Sequence, residues 1–322
     1  MTSIVERLRD LVLSSPRDPA VRSVYADALI QEGDPRGTFI LLQSHLDGSI
    51  PPDKREEARR QVDELLRANR DRWTEHARWA EIRFKGGFIH AIRTSATKFL
   101  ANGPALLAVE PVLEVTLQEA TDDDLKALAA LPAIARIADL KLDGDFEDAG
   151  AAALAKSPHL GTLTSLNLSG AGLGSTFASS VAHLRSLEVL CLSGMSLGDA
   201  AVEIFAAGTY PALQRLYLAR NELSDEGLTA LAKARGLGNV RTLCLGGNEI
   251  SDEGVVALAG AKGLGNLVTL ELNATQVTDE GLEAIAKSRA LKSLKKVNVQ
   301  QAGEVSAEGV ARLRKAKLVV IT

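Results

Sequence analysis

The sequence predicts an α/β solenoid, a stack of units that each contribute one short strand and one helix. The first observation is a phrase of regularly spaced leucines, leucine–x–x–leucine–x–leucine or a close variant, which occurs nine times between Ile89 and Val299. The second is its spacing, because successive steps of 23, 25, 26, 24, 26, 27, 27 and 27 residues lie in the range of stacked strand–helix repeats. The third is that each copy is followed by a helical stretch. The steps join the middle residues of the copies, Arg93, Thr116, Lys141, Asn167, Cys191, Tyr217, Cys244, Glu271 and Asn298.

The strands are predicted from the clearest copies, which cover residues 213–218, 240–245 and 267–272. Successive side chains of a strand point to opposite faces of the sheet. The leucines are therefore expected to form the buried face, and the residues between them the inner face. One further short parallel strand is expected near Val320, at the end of the array.

The helices are predicted from a repeated start, which is a hydroxyl residue followed by acidic residues and, in most copies, a glycine. A hydroxyl oxygen accepts hydrogen bonds from the first N–H groups of a helix, and acids are favoured at the positive end of the helix dipole. The glycine predicts close approach of a neighbouring unit. Acid pairs such as Asp225 and Glu226 also leave open a ridge that binds cations. The starts are at Thr121, Ser224, Ser251, Thr278 and Ser306.

The N-terminal region, residues 1–79, lacks the repeated phrase and is predicted to be a helical capping domain for the repeats in residues 80–322. Internal units of a solenoid cover each other, whereas an end unit needs a cap. A helix is predicted to start with Pro19 in its first turn, and a long charged helix is predicted over residues 53–77. We expect Trp73 or Trp79 to lie where this domain packs on the repeats.

The C-terminal two-thirds resembles the leucine-rich repeats of the ribonuclease-inhibitor and cysteine-containing classes, and residues 267–288 are similar to repeats of F-box proteins. The resemblance implies a horseshoe with a parallel sheet on its concave side and helices outside. No F-box is apparent, so a ubiquitin-ligase role is not implied. These classes carry asparagine or cysteine directly after the strand, but here it is asparagine only at Asn221 and Asn248. These two side chains are predicted to bond the turn backbone, with looser turns near Ala171 and Met195.

Residues 4–46 resemble the repeat-companion domain that precedes leucine-rich repeats in planctomycete and myxobacterial proteins. The segment that carries the resemblance runs from Asp18 to Gln43, with the sequence DPAVRSVYADALIQEGDPRGTFILLQ. The resemblance implies a bacterial, cytoplasmic repeat protein and no particular biochemical activity.

We predict that this protein is an intracellular adaptor or scaffold. Its candidate site is the concave face of the sheet, where a protein partner is expected to bind. Tyr217 and Arg215 are the predicted anchors, because tyrosine and arginine are frequent among the residues that dominate binding energy. Charged residues further along the face are expected to orient the partner. The candidate residues are Arg215, Tyr217, Lys141, Cys191, Cys244, Glu271 and Arg220.

Three other functions stay open at the level of the sequence. One is regulation of a small GTPase, which some leucine-rich-repeat proteins of this class perform. Another is a cysteine-dependent enzyme, although a thiol nucleophile needs a base within hydrogen-bond reach and the candidate base, His183, precedes a strand on the loop side. The third is a structural array whose polar inner face is only solvated.

Composition and residue spacing argue against several binding partners and bound groups, namely nucleic acid, membranes, cofactors and metal ions. A net charge of −4 gives no general attraction to nucleic acid or to anionic membranes, and no run of apolar residues is long enough to span a bilayer. No cofactor is predicted, and the five histidines lack the spacing of a zinc site. Cys191 and Cys244 are two strands, or roughly 10 Å, apart, which predicts free thiols and suits the cytoplasm.

Overall fold

The computed structural model describes residues 3–48, 50–169 and 172–322. The chain forms two compact units, Met1–Leu117 and Gln118–Thr322. The division falls after residue 117, rather than near residue 79, because the N-terminal helices pack with the strands that follow them. The assignment of residues 1–79 and 80–322 to separate domains stays a prediction.

The first unit consists mainly of helices. In the part that the structure describes, its elements are α1 (Ile4–Ser14), α2 (Pro19–Gln31), α3 (Pro35–Asp47), α4 (Pro52–Trp73), a 3₁₀-helix (Glu75–Ala77), β1 (Glu81–Lys85), β2 (Phe88–Ser95), α5 (Ala96–Leu107) and β3 (Glu114–Thr121), whose last residues belong to the second unit. Strands β1 and β2 form an antiparallel hairpin.

Local capping explains where the first helices begin. The side chain of Asp18 accepts a hydrogen bond from the N–H of Ala20, and Asp34 does the same for Arg36, so the two Asp-Pro pairs both open helices. The predicted end of the long charged helix at residue 77 is wrong. Helix α4 ends at Trp73, because Thr74 leaves the helical conformation and a 3₁₀ turn follows.

An aromatic cluster joins α3, α4 and β1. The ring of Phe39 lies 4.7 Å from that of Trp73 and 5.6 Å from that of Phe84, measured between centroids. Phe39 and Trp73 are both buried. Trp73 therefore lies where the N-terminal helices pack with the first strand, whereas Trp79 donates its indole N–H to the carbonyl oxygen of His76 at 2.7 Å.

A buried ion pair also stabilises the first unit. The guanidinium of Arg36 lies 2.7 Å from the carboxylate of Glu110, which also accepts a hydrogen bond from the N–H of Ile89 at 3.0 Å. The guanidinium carbon is 5.8 Å from the ring centroid of Trp73 and 5.3 Å from that of Phe88. Burial raises the pKa of Glu110, and Arg36 opposes that shift by favouring the charged form.

The second unit is an α/β solenoid, as predicted. Its strands are the end of β3, then β4 (Asp139–Asp145), β5 (Ser165–Ser169), β6 (Val189–Cys191), β7 (Arg215–Tyr217), β8 (Thr242–Cys244), β9 (Thr269–Glu271), β10 (Lys296–Asn298) and β11 (Val319–Ile321). From β4 onward each strand pairs in parallel with the next one along the chain. Its helices are α6 (Asp122–Ala129), α7 (Asp148–Ala155), α8 (Ser175–Ser180), α9 (Gly198–Ala206), α10 (Asp225–Lys233), α11 (Asp252–Ala259), α12 (Asp279–Lys287) and α13 (Ala307–Lys315).

The register of this sheet matches the alignment made from the repeats. Strand pairs place one row of residues opposite each other across seven successive strands. The row is Lys141, Asn167, Cys191, Tyr217, Cys244, Glu271 and Asn298. The final strand is also as predicted, since Val320 pairs with Val297.

The predicted helix caps are confirmed. The side chains of Thr121, Ser224, Ser251, Thr278 and Ser306 each accept a hydrogen bond from an N–H group in the first turn of their helix. The leucines at the centres of the strands, such as Leu216, Leu243 and Leu270, are fully buried. The core of the second unit therefore lies between the sheet and its helices.

Candidate partner-binding face

We call the side of the second unit's sheet that faces away from the leucine core the open face, which corresponds to the predicted concave face. Strand β7 shows the alternation that defines it, because Leu216 is fully buried while Arg215 is exposed and Tyr217 half-buried. The predicted residues on this face are Lys141, Cys191, Arg215, Tyr217, Cys244 and Glu271.

Small neutral residues surround the two predicted anchors. Tyr217 lies between Cys191 on β6 and Cys244 on β8. Arg215 lies between Val189 and Thr242 on the same two strands. No salt bridge joins Arg215 to any residue of the described chain, so its charge is available to a partner.

The structure does not bring all the predicted residues together. Lys141 is three strands from Tyr217 and Glu271 is two strands away, which corresponds to about 14 Å and about 10 Å. Arg220 is exposed, but it lies in the turn after β7, where its φ of +55° puts the backbone in the left-handed region. The compact group therefore consists of Arg215, Tyr217 and the two cysteines.

Neither cysteine has the surroundings of an activated nucleophile. Both thiols are free. The S–H of Cys244 donates to the carboxylate of Glu271 at 3.6 Å, and burial, reinforced by Glu271, raises the pKa of this thiol. A raised pKa disfavours the reactive thiolate. Cys191 contacts the hydroxyl of Ser193 at 4.0 Å, and the Nδ1 of His183 instead contacts the carbonyl oxygen of Ser180.

The two turn asparagines bond backbone groups of successive repeats. Asn221 accepts from the N–H groups of Met195 and Leu197, and its amide donates to the carbonyl oxygen of Leu192 at 2.7 Å. Asn248 accepts in turn from the N–H of Asn221 at 2.8 Å. The turn at Met195 is therefore bonded to its neighbour, against the expectation of a looser turn there. Ala171 lies outside the described residues.

Asn248 completes its bonding through carbonyl groups, since its amide donates to Leu218 and Leu245 at 2.9 and 2.7 Å. At the same position in the next repeat, Thr275 donates its hydroxyl to the carbonyl oxygen of Leu272 at 2.7 Å. A hydroxyl has one donor where an amide has two. The ladder of turn asparagines is therefore short, with a partial substitute at its C-terminal end.

A second ladder, made of aspartates at the helix starts, was not predicted. Asp252 accepts from the N–H and hydroxyl of Thr278 at 2.8 and 2.5 Å and from the N–H of Gly281 at 2.9 Å. Asp225 bonds the next Ser251 and Gly254 in the same way. The aspartates thus stabilise the neighbouring helix start, which replaces the alternative of a cation-binding ridge. In the sequence, the recurring Ser/Thr-Asp-Glu-Gly phrase was the signal from which this ladder could have been predicted.

The larger cavities of the second unit lie away from the open face. One of about 730 Å³ runs along the helices α9 and α10 and is lined by Ala200, Ala207, Ala230 and acidic residues that include Glu203 and Glu226. Another, of about 530 Å³, lies at the C-terminal ends of α11 and α12. Among the described residues, no three His, Cys, Asp or Glu side chains are grouped to hold a metal ion. No described helix is long and apolar enough to cross a membrane.

Comparison with known families identifies the repeats. A family described as "Leucine Rich repeat" matches residues 211–232, 239–259 and 266–286. Each matched segment includes a strand of the open face and all, or all but the last residue, of the helix that follows it. No curated protein sequence is similar enough to this chain to match.

Solved structures that this chain matches come from several organisms. A protein from Bacteroides fragilis is 17% identical, with a TM-score of 0.52, and the match covers 83% of each chain. A chain from the Rad7–Elc1 complex of yeast is 14% identical, with a TM-score of 0.48, covering 97% of this chain and 85% of that one. An internalin from Listeria monocytogenes is 19% identical, with a TM-score of 0.36, covering 68% and 69%. The fold of this chain is that of a solenoid containing leucine-rich repeats.

Proposed function

We propose that this protein is a non-enzymatic recognition module that binds a protein partner on the open face of its repeats, as an adaptor or scaffold. The observation that carries the proposal is the position of Tyr217. It is the one aromatic side chain on the open face of the described strands β4 to β11, and it stands between two small residues, Cys191 and Cys244.

This arrangement suits an anchor residue. Association has to overcome the loss of translational and rotational freedom, and a rigid, well-desolvated side chain contributes more toward this than flexible charges do. Tyr217 is already half-buried, so its ring is partly held in place before binding. The small side chains beside it leave room for a protruding element of a partner.

Arg215 adds chemical selectivity to this anchor. It is exposed, and the neighbouring residues on the flanking strands, Val189 and Thr242, carry no charge. A guanidinium forms two parallel hydrogen bonds with a carboxylate. We therefore propose that the partner presents an acidic side chain or a C-terminal carboxylate beside Tyr217. Lys141 and Glu271 would then act on the orientation of the partner rather than on the strength of binding.

The cysteines support a non-enzymatic role in the cytoplasm. The raised pKa of Cys244 keeps its thiol protonated, and protonated thiols are poor nucleophiles. Two free thiols are favoured in a reducing compartment. We also propose that residues 4–46 form a repeat-companion domain of a bacterial protein, a proposal supported by the helix starts at Pro19 and Pro35.

The test is a pull-down with mass spectrometry, followed by binding titrations of the recovered partner against variants. Tyr217→Ala and Arg215→Ala are each expected to weaken binding by about 2 kcal/mol or more, as anchor residues do. Lys233→Ala serves as the control, because Lys233 is exposed at the end of α10, away from the open face.

The expected result is loss of affinity in both open-face variants with wild-type melting temperatures and an unchanged control. Full affinity in both variants would contradict the proposal, as would a loss confined to substitutions on the helices or in the first unit. A change in GTP hydrolysis by a recovered GTPase would assign the protein to GTPase regulation instead.

A further inference from the structure

The cavity at the ends of α11 and α12 differs from the open face in both position and charge. It measures about 530 Å³ and lies in the loops that lead from each helix to the next strand. Its charged lining residues are all basic, namely Lys262, Arg289 and Lys292, and the rest of its lining is small, namely Ala259, Gly260, Gly265 and Ala290. We call this feature the basic cleft.

The three cations of the basic cleft are not paired within the protein. All three are exposed, and none takes part in a salt bridge with another described residue. The adjacent Lys287 differs, because it pairs with Glu283 on its own helix. Three unpaired positive charges around one cavity repel each other, so an anion that enters the cleft relieves this repulsion.

Helix capping does not account for these cations. Cations are favoured near a helix C-terminus, but that effect is confined to the last turn. Helix α11 ends at Ala259 and α12 ends at Lys287. Lys262, Arg289 and Lys292 all follow those ends. Lys262 begins a short 3₁₀-helix (Lys262–Leu264) and the other two lie in the loop before β10, whereas Lys287 occupies the favoured position within the last turn of α12.

The walls of the cleft are fixed by one serine. The hydroxyl of Ser288 donates to the carbonyl oxygen of Ala259 at 2.6 Å, and it accepts from the N–H groups of Ala290 and Leu291 at 3.2 and 3.1 Å. The loop after α12 is thereby bonded to the end of α11. The cations therefore project from a cross-linked backbone, which lowers the conformational entropy lost when they bind a ligand.

The same set of serine hydrogen bonds, which we call the serine bracket, occurs earlier in the array without the charged residues. Ser157 donates to the carbonyl oxygen of Ala129 at 2.6 Å and accepts from the N–H of His159 at 3.2 Å. When the two brackets are aligned on these bonds, Lys262, Arg289 and Lys292 correspond to Pro132, Pro158 and Gly161. The bracket alone therefore requires no cation. A basic residue recurs at one position of three successive repeats, as Arg235, Lys262 and Arg289 at steps of 27 residues, and the basic cleft is where two of these lie beside Lys292.

We propose that the basic cleft is a second binding site, which takes a phosphate group carried by a phosphorylated segment of a protein. Phosphate carries close to two negative charges and three acceptor oxygens at neutral pH, which suits one guanidinium and two ammonium groups better than a single carboxylate does. This site is separate from the open face and does not depend on the function proposed for it.

The surroundings favour a single phosphate over an extended polyanion or a membrane surface. The starts of α10, α11 and α12 carry acidic pairs such as Asp252 and Glu253, and Asp279 and Glu280. The chain as a whole has a net charge of −4. A long anionic surface would meet these acids as well as the cleft, whereas one phosphate group meets only the three cations.

The experiment is an amide NMR titration of the whole 322-residue chain with three probes. These are inorganic phosphate, a short phosphoserine peptide with its unphosphorylated counterpart, and vesicles containing phosphatidylserine. We expect saturable shifts of the Gly260, Gly265 and Ala290 amides with phosphate and, at lower concentration, with the phosphopeptide, but not with its counterpart.

Three variants make the assignment specific. Single Arg289→Gln is expected to weaken phosphopeptide binding roughly three- to tenfold, since one charge-assisted contact at an exposed site is lost. The triple variant Lys262→Gln/Arg289→Gln/Lys292→Gln should lose saturable binding while keeping its melting temperature. Lys156→Gln is the matched control, because Lys156 precedes the uncharged serine bracket at Ser157, and it should bind as the wild type does.

The outcomes are decisive in either direction. Saturable shifts at the cleft that the triple variant loses would support the site. Equal shifts in wild type and triple variant, no saturable shift at these amides, or binding to vesicles without binding to the phosphopeptide would each overturn it.

Discussion

The two compact units are stabilised by contacts of different kinds. In the first unit the main contacts occur once and join distant residues, as when Arg36 bonds Glu110 across 74 positions. In the second unit the contacts recur at one-repeat spacing, as when Asp225 bonds Ser251 and Asp252 bonds Thr278, each 26 positions later. Repeated contacts act between neighbouring repeats, so each contributes only a part of the stability of the second unit. A contact that occurs once has no substitute.

The residues at the centre of each core differ in the same way, although the second unit also buries aromatic residues outside its strands, such as the stacked Phe205 and Tyr210. Phe39, Trp73 and Phe84 pack as one cluster in the first unit, while the central strand positions of the second unit are filled by aliphatic residues such as Leu216 and Leu270. A repeated unit of fixed size is filled well by identical leucines, because each layer offers the next the same shape. A core assembled once from unlike helices needs large side chains to fill irregular space.

The largest effect is expected for the contact that occurs once. Glu110→Ala removes the carboxylate that pairs with Arg36 and leaves a mostly buried guanidinium without its partner, which costs about 3–5 kcal/mol. Both tryptophans of the chain, Trp73 and Trp79, belong to the first unit. Urea unfolding followed by tryptophan fluorescence therefore reports on this unit directly.

The matched control for that prediction is Glu57→Ala. Glu57 pairs with Arg60 on the surface of α4, and exposed pairs contribute at most about 1 kcal/mol. A shift for Glu110→Ala as small as that of the control would show that the buried pair is not what stabilises the first unit.

The difference between the units also explains what the sequence could predict. Strand register from Lys141 to Asn298 and the five helix caps follow from a pattern that repeats, so each copy supports the others. The Arg36–Glu110 pair could not be predicted, since nothing local links residues 74 positions apart. The aspartate ladder lies between these cases, because its residues recur in phase but their bonds depend on how closely neighbouring helix starts approach.

For the candidate site, the strand positions could be predicted from the sequence, whereas the side-chain contacts could not. Register alone placed Tyr217 between Cys191 and Cys244. The burial of Cys244 and its bond to Glu271 depend on side-chain conformations that the repeat pattern does not determine. The left-handed backbone of Arg220, three positions after Tyr217, is likewise not determined by the repeat pattern, and its part in binding stays a prediction.

A smaller effect is expected for the turn asparagines. Asn221→Ala and Asn248→Ala each leave buried backbone groups without partners, which costs about 1–3 kcal/mol. Asn102 is the control, because its amide makes only an exposed bond to the carbonyl oxygen of Lys98. Thermal melting followed by circular dichroism measures all three. Equal shifts at the three positions would contradict a specific role for the ladder.

The smallest effect on stability is expected where one aspartate bonds the start of the next helix, and the substitution Gly281→Ala tests this. A methyl group added at Gly281 would lie 2.5 Å from Oδ1 of Asp252 and 2.9 Å from a methyl of Val277, so the helix start has to move away from its neighbour. Such overpacking costs about 1–3 kcal/mol, while replacing glycine by alanine inside a helix gains up to about 1 kcal/mol. The net loss should be about 1 kcal/mol in urea unfolding. Gly161→Ala, where the added methyl meets nothing within 4 Å, should cause no loss. A gain in stability at Gly281→Ala would show that the aspartate ladder tolerates a wider spacing between units, and the repeated contacts would then be weaker than their geometry indicates.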